Sequence, residues 1–191
     1  MSRREELLSG AMGYVGENGL ATLTLRPLAA ALGTSDRMLV YHFGSREGLV
    51  VALLDRAFDD LTDMWRTQQV AKPSDLVRAL WQAFEEPGVR VAMRVYLEAA
   101  SLAGTDELWR RQLAPATSAY LRAAEQWLVE AGLAPAVAPG AARLASAALD
   151  GLLLQVGIDG ERGAATEVVE LLARQLDDLA DRGARSTDAS R

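Results

Sequence analysis

A chain of 191 residues, half of them apolar, can bury a substantial core as one compact domain or as a small domain joined to a larger one. It has no cysteine and a single histidine, His42, which excludes disulfides, cysteine nucleophiles and any metal site built on thiolates or several histidines. The net charge of −6 argues at first sight against nucleic acid, whose phosphates are bound chiefly through Lys and Arg.

That charge is unevenly placed. Residues 1–50 are neutral, with Arg3, Arg4, Arg26, Arg37 and Arg46 balancing Glu5, Glu6, Glu17, Asp36 and Glu47, so the acidity belongs to the rest of the chain. No window approaches 18 uninterrupted apolar residues, and the opening MSRREELL has no hydrophobic signal core. The expectation is a cytoplasmic protein with no membrane association.

Helical periodicity dominates, and no alternating run makes a strand, so an all-α fold is expected, with about nine helices. The first helix spans Arg3 to Asn18, where Leu7, Leu8, Ala11, Met12 and Val15 form one buried stripe and Gly19 is the stop. Its interior glycines Gly10, Gly13 and Gly16 each cost about 1 kcal/mol relative to alanine. Either another helix approaches closely there, or the helix is simply weak.

Thr24 offers a capping acceptor before LRPLAAAL, whose Pro27 falls in the first turn and needs no donor bond. This short helix ends at Gly33. Ser35 is placed to cap a second one running to about Tyr41, and Ser45 to cap a long helix from Arg46 to about Gln69. After Lys72-Pro73-Ser74, helices are expected at about 74–85, 88–103, 106–131, 140–158 and 164–181, separated by glycine and proline turns. The polar tail 183–191 is expected to be disordered.

Two short helices joined by a tight glycine turn describe a helix-turn-helix, whose second helix enters the DNA major groove. Leu28, Leu32 and Leu39 can form the wedge between them, and Ala29 is small where they approach. The stretch from Leu7 to Val51, with its Thr before Leu-x-x-Leu-Ala, its Gly-x-Ser turn, its aromatic-ended helix closing in Phe43 and its Ser-basic-acidic cap, resembles the N-terminal DNA-binding region of TetR-family transcriptional regulators. The resemblance implies a DNA-binding domain at 1–48 and a helical ligand-binding and dimerisation domain at 49–182. It implies a homodimer that binds a double-stranded DNA operator and a small-molecule effector.

Carried over position by position, Thr24, Ser35, Tyr41 and His42 lie where family members contact phosphates, and Arg37 and Met38 at the exposed start of the recognition helix. The chain departs from the family at Asp36-Arg37-Met38-Leu39-Val40, where Lys-Gly-Thr-Leu-Tyr is common. Arg37 could bind guanine O6 and N7 in a fork worth roughly 1–3 kcal/mol of discrimination. Asp36 could orient it or accept from cytosine N4; the bland alternative is a surface ion pair. Arg26 and Arg46 are expected to help electrostatically, and the helix starts at Thr24 and Ser35 add partial positive charge. Tyr41 has a packing role beside Phe43 as its alternative, and His42 a packed or capping one.

Trp65, Trp81, Phe84, Met93, Tyr96, Trp109 and Tyr120 are ordinary core residues or, together, the lining of an apolar effector cavity. Of the last two helices, one alternates small and leucine residues and the other carries a leucine stripe. Leu144, Ala148, Gly151, Leu152, Val168, Leu172 and Leu176 are candidates for a four-helix dimer interface, a core hairpin being the alternative. No paired carboxylates, phosphate-binding glycine loop or metal spacing appears, so no enzyme, cofactor or metal is expected. The expected function is a ligand-responsive regulator, foremost a repressor released by a small apolar or aromatic effector. Its rival is a small-molecule-binding or interaction protein that keeps the fold without binding an operator.

Overall fold

The computed structural model describes residues 2–20, 22–66 and 71–188, with backbone only at 60–66, 108, 112 and 184–188. Nine helices and no strand occur among the described residues: α1 Arg3–Asn18, α2 Leu25–Ala31, α3 Asp36–Phe43, α4 Arg46–Arg66, α5 Pro73–Ala83, α6 Pro87–Ala103, α7 Glu107–Glu130, α8 Ala138–Asp159 and α9 Arg162–Asp188. The expected continuation of α4 to Gln69 lies outside the described residues. The expected tail is shorter than its reading: α9 runs on to Asp188, since nothing after Gly183 breaks a helix, and 189–191 lie outside the described residues.

The chain divides into two compact units. The first unit joins residues 1–64 to 86–117, and the second joins 65–85 to 118–191. Helix α6 belongs with the N-terminal helices because it packs on α1.

In the first unit, α1 opens with a reciprocal cap. Ser2 Oγ accepts from Glu5 N at 3.3 Å, and Glu5 Oε2 accepts from Ser2 N at 2.6 Å. Leu7, Leu8, Ala11 and Val15 are buried as the periodicity requires, Met12 is partly buried, and Gly19 ends the helix at φ 79°. Two of the three interior glycines are close approaches. A Cβ on Gly10 would stand 2.6 Å from Leu32 Cδ2, and one on Gly16 2.8 Å from Val91 Cγ2 of α6, whereas Gly13 has nothing within 4 Å.

These contacts predict a graded series in urea denaturation. Gly13→Ala should stabilise the chain by about 1 kcal/mol, the ordinary helix preference. Gly16→Ala should forfeit that gain or reverse it, because Val91 is β-branched and stiff at χ1. Gly10→Ala should fall between them, since the end of a leucine can turn aside. Equal effects at all three positions would dismiss helix approach as the reason for the glycines.

In the second unit α5 lies along α9. The Arg78 guanidinium forks onto Glu170 with two bonds of 2.8 Å, Trp81 Nε1 donates to Thr166 Oγ1 at 3.0 Å, and Ser74 N donates to Asp177 Oδ1 at 3.0 Å. The pair raises the Arg78 pKa and lowers that of Glu170 through their mutual hydrogen bonds. Helix α8 packs on α9, and its Ala141, Ala145, Leu149 and Leu152 are buried. By length and composition α8 could also cross a membrane, with a mean hydropathy of 1.3. Asp150 near its middle and the apolar packing on α9 equally describe a helix of a packed domain.

Candidate nucleic-acid interface

The helix-turn-helix is built from local signals. Thr24 stands at the start of α2 in extended conformation, but its side chain makes no capping bond, contrary to expectation, and is exposed. Gly33 takes φ 61° in the turn, and Thr34 N closes it by donating to Ala29 O at 2.9 Å. Ser35 caps α3, its Oγ accepting from Met38 N at 3.3 Å. Gly44 ends α3 at φ 78°, and Ser45 Oγ accepts from Gly48 N at 3.1 Å to start α4.

Two faces of α3 are sharply different. Leu39 and Phe43, four residues apart, are buried in the same core as Leu28, Leu49 and Leu53, while Asp36, Arg37, Met38, Val40 and Tyr41 are exposed, Tyr41 by 79%. Such apolar and aromatic exposure on a short, well-anchored helix stabilises nothing inside the fold. The Asp36 carboxylate does not orient the Arg37 side chain. It folds back on the helix start, where Oδ1 accepts from Arg37 N at 3.1 Å. Arg37 and Arg26 are exposed and carry no ion pair among the described residues.

Two expected contact residues are placed differently. The His42 ring is half-buried between Tyr41, with centroids 5.0 Å apart, and Phe43 at 6.3 Å; its Nε2 is enclosed and has no hydrogen-bond partner. A phosphate cannot reach that nitrogen. The Arg46 side chain turns inward, donating to Leu23 O at 2.7 Å and Leu20 O at 3.1 Å. Sequence reasoning missed Arg4, whose guanidinium lies 5.3 Å from the centroid of Phe43 at the end of α3.

The aromatic residues read as an effector lining fall into both units. In the first, Tyr96 meets Phe58 edge to face at 5.7 Å, Trp109 is buried under Arg46 at 5.8 Å, and Met93 is buried. In the second, Trp81 and Phe84 are buried and meet edge to face at 6.0 Å, and Tyr120 is half-buried. The side chain of Trp65 lies outside the described residues. A cleft of about 240 Å³ beside Trp81 is bordered by Arg78, Glu85, Arg162 and Glu170. It is a charged groove, where Arg162 covers the Trp81 ring at 4.5 Å while pairing with Glu85.

One titratable group of the second unit stands apart. Burial pushes the Asp150 carboxyl of α8 from 3.8 up to about 6. Between those values the folded chain holds a proton that the unfolded chain has released, so stability falls as pH rises through that window. At about 1.4 kcal/mol per unit, and discounted for residual solvent contact, the penalty at neutral pH is on the order of 2 kcal/mol. Asp150→Asn should therefore raise the unfolding free energy by that amount at pH 7.5 and leave it nearly unchanged at pH 4. An equal effect at both values would refute burial as the cause.

The comparisons with known proteins agree with this geometry. Residues 7–53 match the model of bacterial regulatory proteins of the TetR family. Over 107 residues the chain is 32% identical to the HTH-type transcriptional repressor AcnR of Corynebacterium glutamicum, covering 56% of this chain and 54% of that one. The chain spans about half, or less, of the length of the curated relatives it matches. A crystal structure from Rhodococcus sp., described as a TetR-family transcriptional regulator, superposes with a TM-score of 0.74 at 21% identity, over 93% of this chain and 98% of that one. The multidrug binding protein EbrR in complex with ethidium superposes with a TM-score of 0.67 at 26% identity, over 90% and 98%. The helix-turn-helix thus lies inside the segment that matches the TetR-family model, and the chain as a whole shares the fold of these solved structures.

Proposed function

We propose that the protein is a DNA-binding transcriptional regulator that represses as a homodimer and is released from its operator by a small apolar or aromatic effector. The observation that carries the reading is the outer face of α3. Arg37, Met38 and Tyr41 are held out by a capped helix anchored on Leu39 and Phe43, and Arg37 has no ion-pair partner among the described residues. Exposed Thr24 and Arg26 at the start of α2 supply phosphate contacts beside it. Names of relatives support the direction: AcnR is a repressor, and EbrR binds ethidium, a planar aromatic cation.

In this mechanism the two recognition helices of a dimer fit successive major grooves, and the effector favours an arrangement in which their spacing is lost. The effector need only bind the two arrangements with different affinity. Electrophoretic mobility of DNA from upstream of the chain's own gene is the direct test. Retardation of that DNA at protein concentrations that leave random duplex free supports the reading. Equal, salt-sensitive affinity for both would reject specific regulation there.

A further inference from the structure

The backbone around Leu20 and Leu23, which joins α1 to the helix-turn-helix, is held by side chains from two other helices. Leu20 N donates to Glu98 Oε2 of α6 at 2.9 Å. The carbonyls of Leu20 and Leu23 accept from Nη2 and Nε of Arg46, the first residue of α4, at 3.1 and 2.7 Å. The Leu20 N–H is thus satisfied from outside the segment by α6, while its carbonyl is shared between Arg46 of α4 and Leu23 N, which donates to it at 3.1 Å. The Leu20 and Leu23 side chains are buried in the same core as Leu28 and Leu39.

The two clamping groups are themselves fixed. Glu98 Oε1 accepts from Arg94 Nε at 3.1 Å, and the Arg94 guanidinium lies 3.0 Å from where a Cβ on Gly19 would stand. The Arg46 guanidinium lies over the Trp109 ring of α7 at 5.8 Å, and its remaining nitrogen is 3.8 Å from Glu47 Oε1. A planar fork whose Nε and Nη2 are committed to two carbonyls has little left to offer a phosphate. Only 27% of the Arg46 side chain is exposed.

We propose that Arg46 and Glu98 are positioning residues for DNA recognition, clamping the Leu20–Leu23 backbone so that α2 and α3 stand correctly on α4 and α6, and that Arg46 does not bind phosphate. The proposal rests on the DNA-binding reading for its consequence, but the clamp itself can be measured without DNA.

The test uses the full chain with Arg46→Ala, Arg46→Lys, Glu98→Ala and Glu98→Gln, and with Arg26→Ala as the phosphate-contact comparison. Hydrogen exchange in the absence of DNA should show at least tenfold faster exchange in the peptide spanning Leu20–Leu23 for Arg46→Ala and Glu98→Ala. Glu98→Gln should restore protection, because its amide oxygen can still accept from Leu20 N. Arg46→Lys, with one point donor in place of a fork, should be intermediate and serves if Arg46→Ala does not fold.

Fluorescence anisotropy with random-sequence duplex, titrated over salt, then separates the two roles. Arg26→Ala should flatten the slope of log K against log salt by about 0.9, the value of one phosphate contact. Arg46→Ala should leave that slope unchanged while lowering affinity for DNA upstream of the gene at least tenfold. Unchanged exchange in both alanine variants would overturn the clamp, and a slope loss of about 0.9 in Arg46→Ala would make it a phosphate ligand. If the wild-type chain bound no DNA, the reading of function would fall, while the exchange data would still decide the clamp.

Discussion

Arg37→Ala is expected to weaken binding to the operator by roughly five- to a hundredfold and to relax preference at one base pair, the loss of a forked contact to guanine worth about 1–3 kcal/mol. The residue is exposed at the capped start of α3 and has no ion-pair partner among the described residues, so removing it costs the fold almost nothing. Arg26→Ala provides the contrast. A phosphate contact carries no sequence information, so its loss should weaken all duplexes alike. Tyr41, 79% exposed, separates the ring from the hydroxyl: Tyr41→Phe removes only a hydrogen bond, and Tyr41→Ala removes the contact surface as well. Titration against the operator and its single-base variants reads all four substitutions. If Arg37→Ala and Tyr41→Ala bind DNA as the wild type does, α3 is not a reading helix, and the rival view of a family fold kept without operator binding takes its place.

The helix-turn-helix was legible because its signals are local. Gly33 and Gly44 take positive φ where the turn and the helix end require it, and Ser35 and Ser45 cap the helices that follow them. The inward turn of Arg46 was not legible, since a basic residue at a helix start next to a helix-turn-helix has every local mark of a phosphate contact. What redirects it are carbonyls 23 and 26 positions away. Glu98 gave no signal at all, its partner Leu20 lying 78 positions earlier. Burial on α8 and α9 was half-legible. A helix apolar all round has no phase in its sequence, so Leu144 and Leu152 looked equivalent. The structure separates them: Leu152, Leu172 and Leu176 are buried in the core of their own unit, while Leu144 and Val168 face outward.

That outward set gives the proposed homodimer its sharpest test. The most apolar window of α8 is only 28% buried, and Leu144, Leu154 and Ile158 are exposed along it, Ile158 by 86%, with Val168 and Leu171 exposed on α9. Leu144, Gly151 and Ile158 recur every seven residues, which keeps them on one side of the helix with the small Ala148 between them. These are five large apolar side chains on two neighbouring helices that a monomer would leave in water. A second copy placed about a two-fold axis covers them with the same set. The wild-type chain should therefore sediment as a dimer at micromolar concentration. Ile158→Glu, which would bury an unpaired carboxylate in the pair, should shift the dimer dissociation constant at least a hundredfold while leaving the helical circular dichroism unchanged. Leu176→Ala is the opposite case, costing about 2–5 kcal/mol of unfolding free energy because it hollows the protomer's own core. Operator affinity should fall with Ile158→Glu even though no DNA-facing residue has changed, because two linked recognition helices bind two half-sites far more tightly than one. A wild-type chain that sediments as a monomer, or an Ile158→Glu variant that stays dimeric, would remove this face from the interface, and with it the argument that pairing through α8 and α9 sets the spacing of the recognition helices.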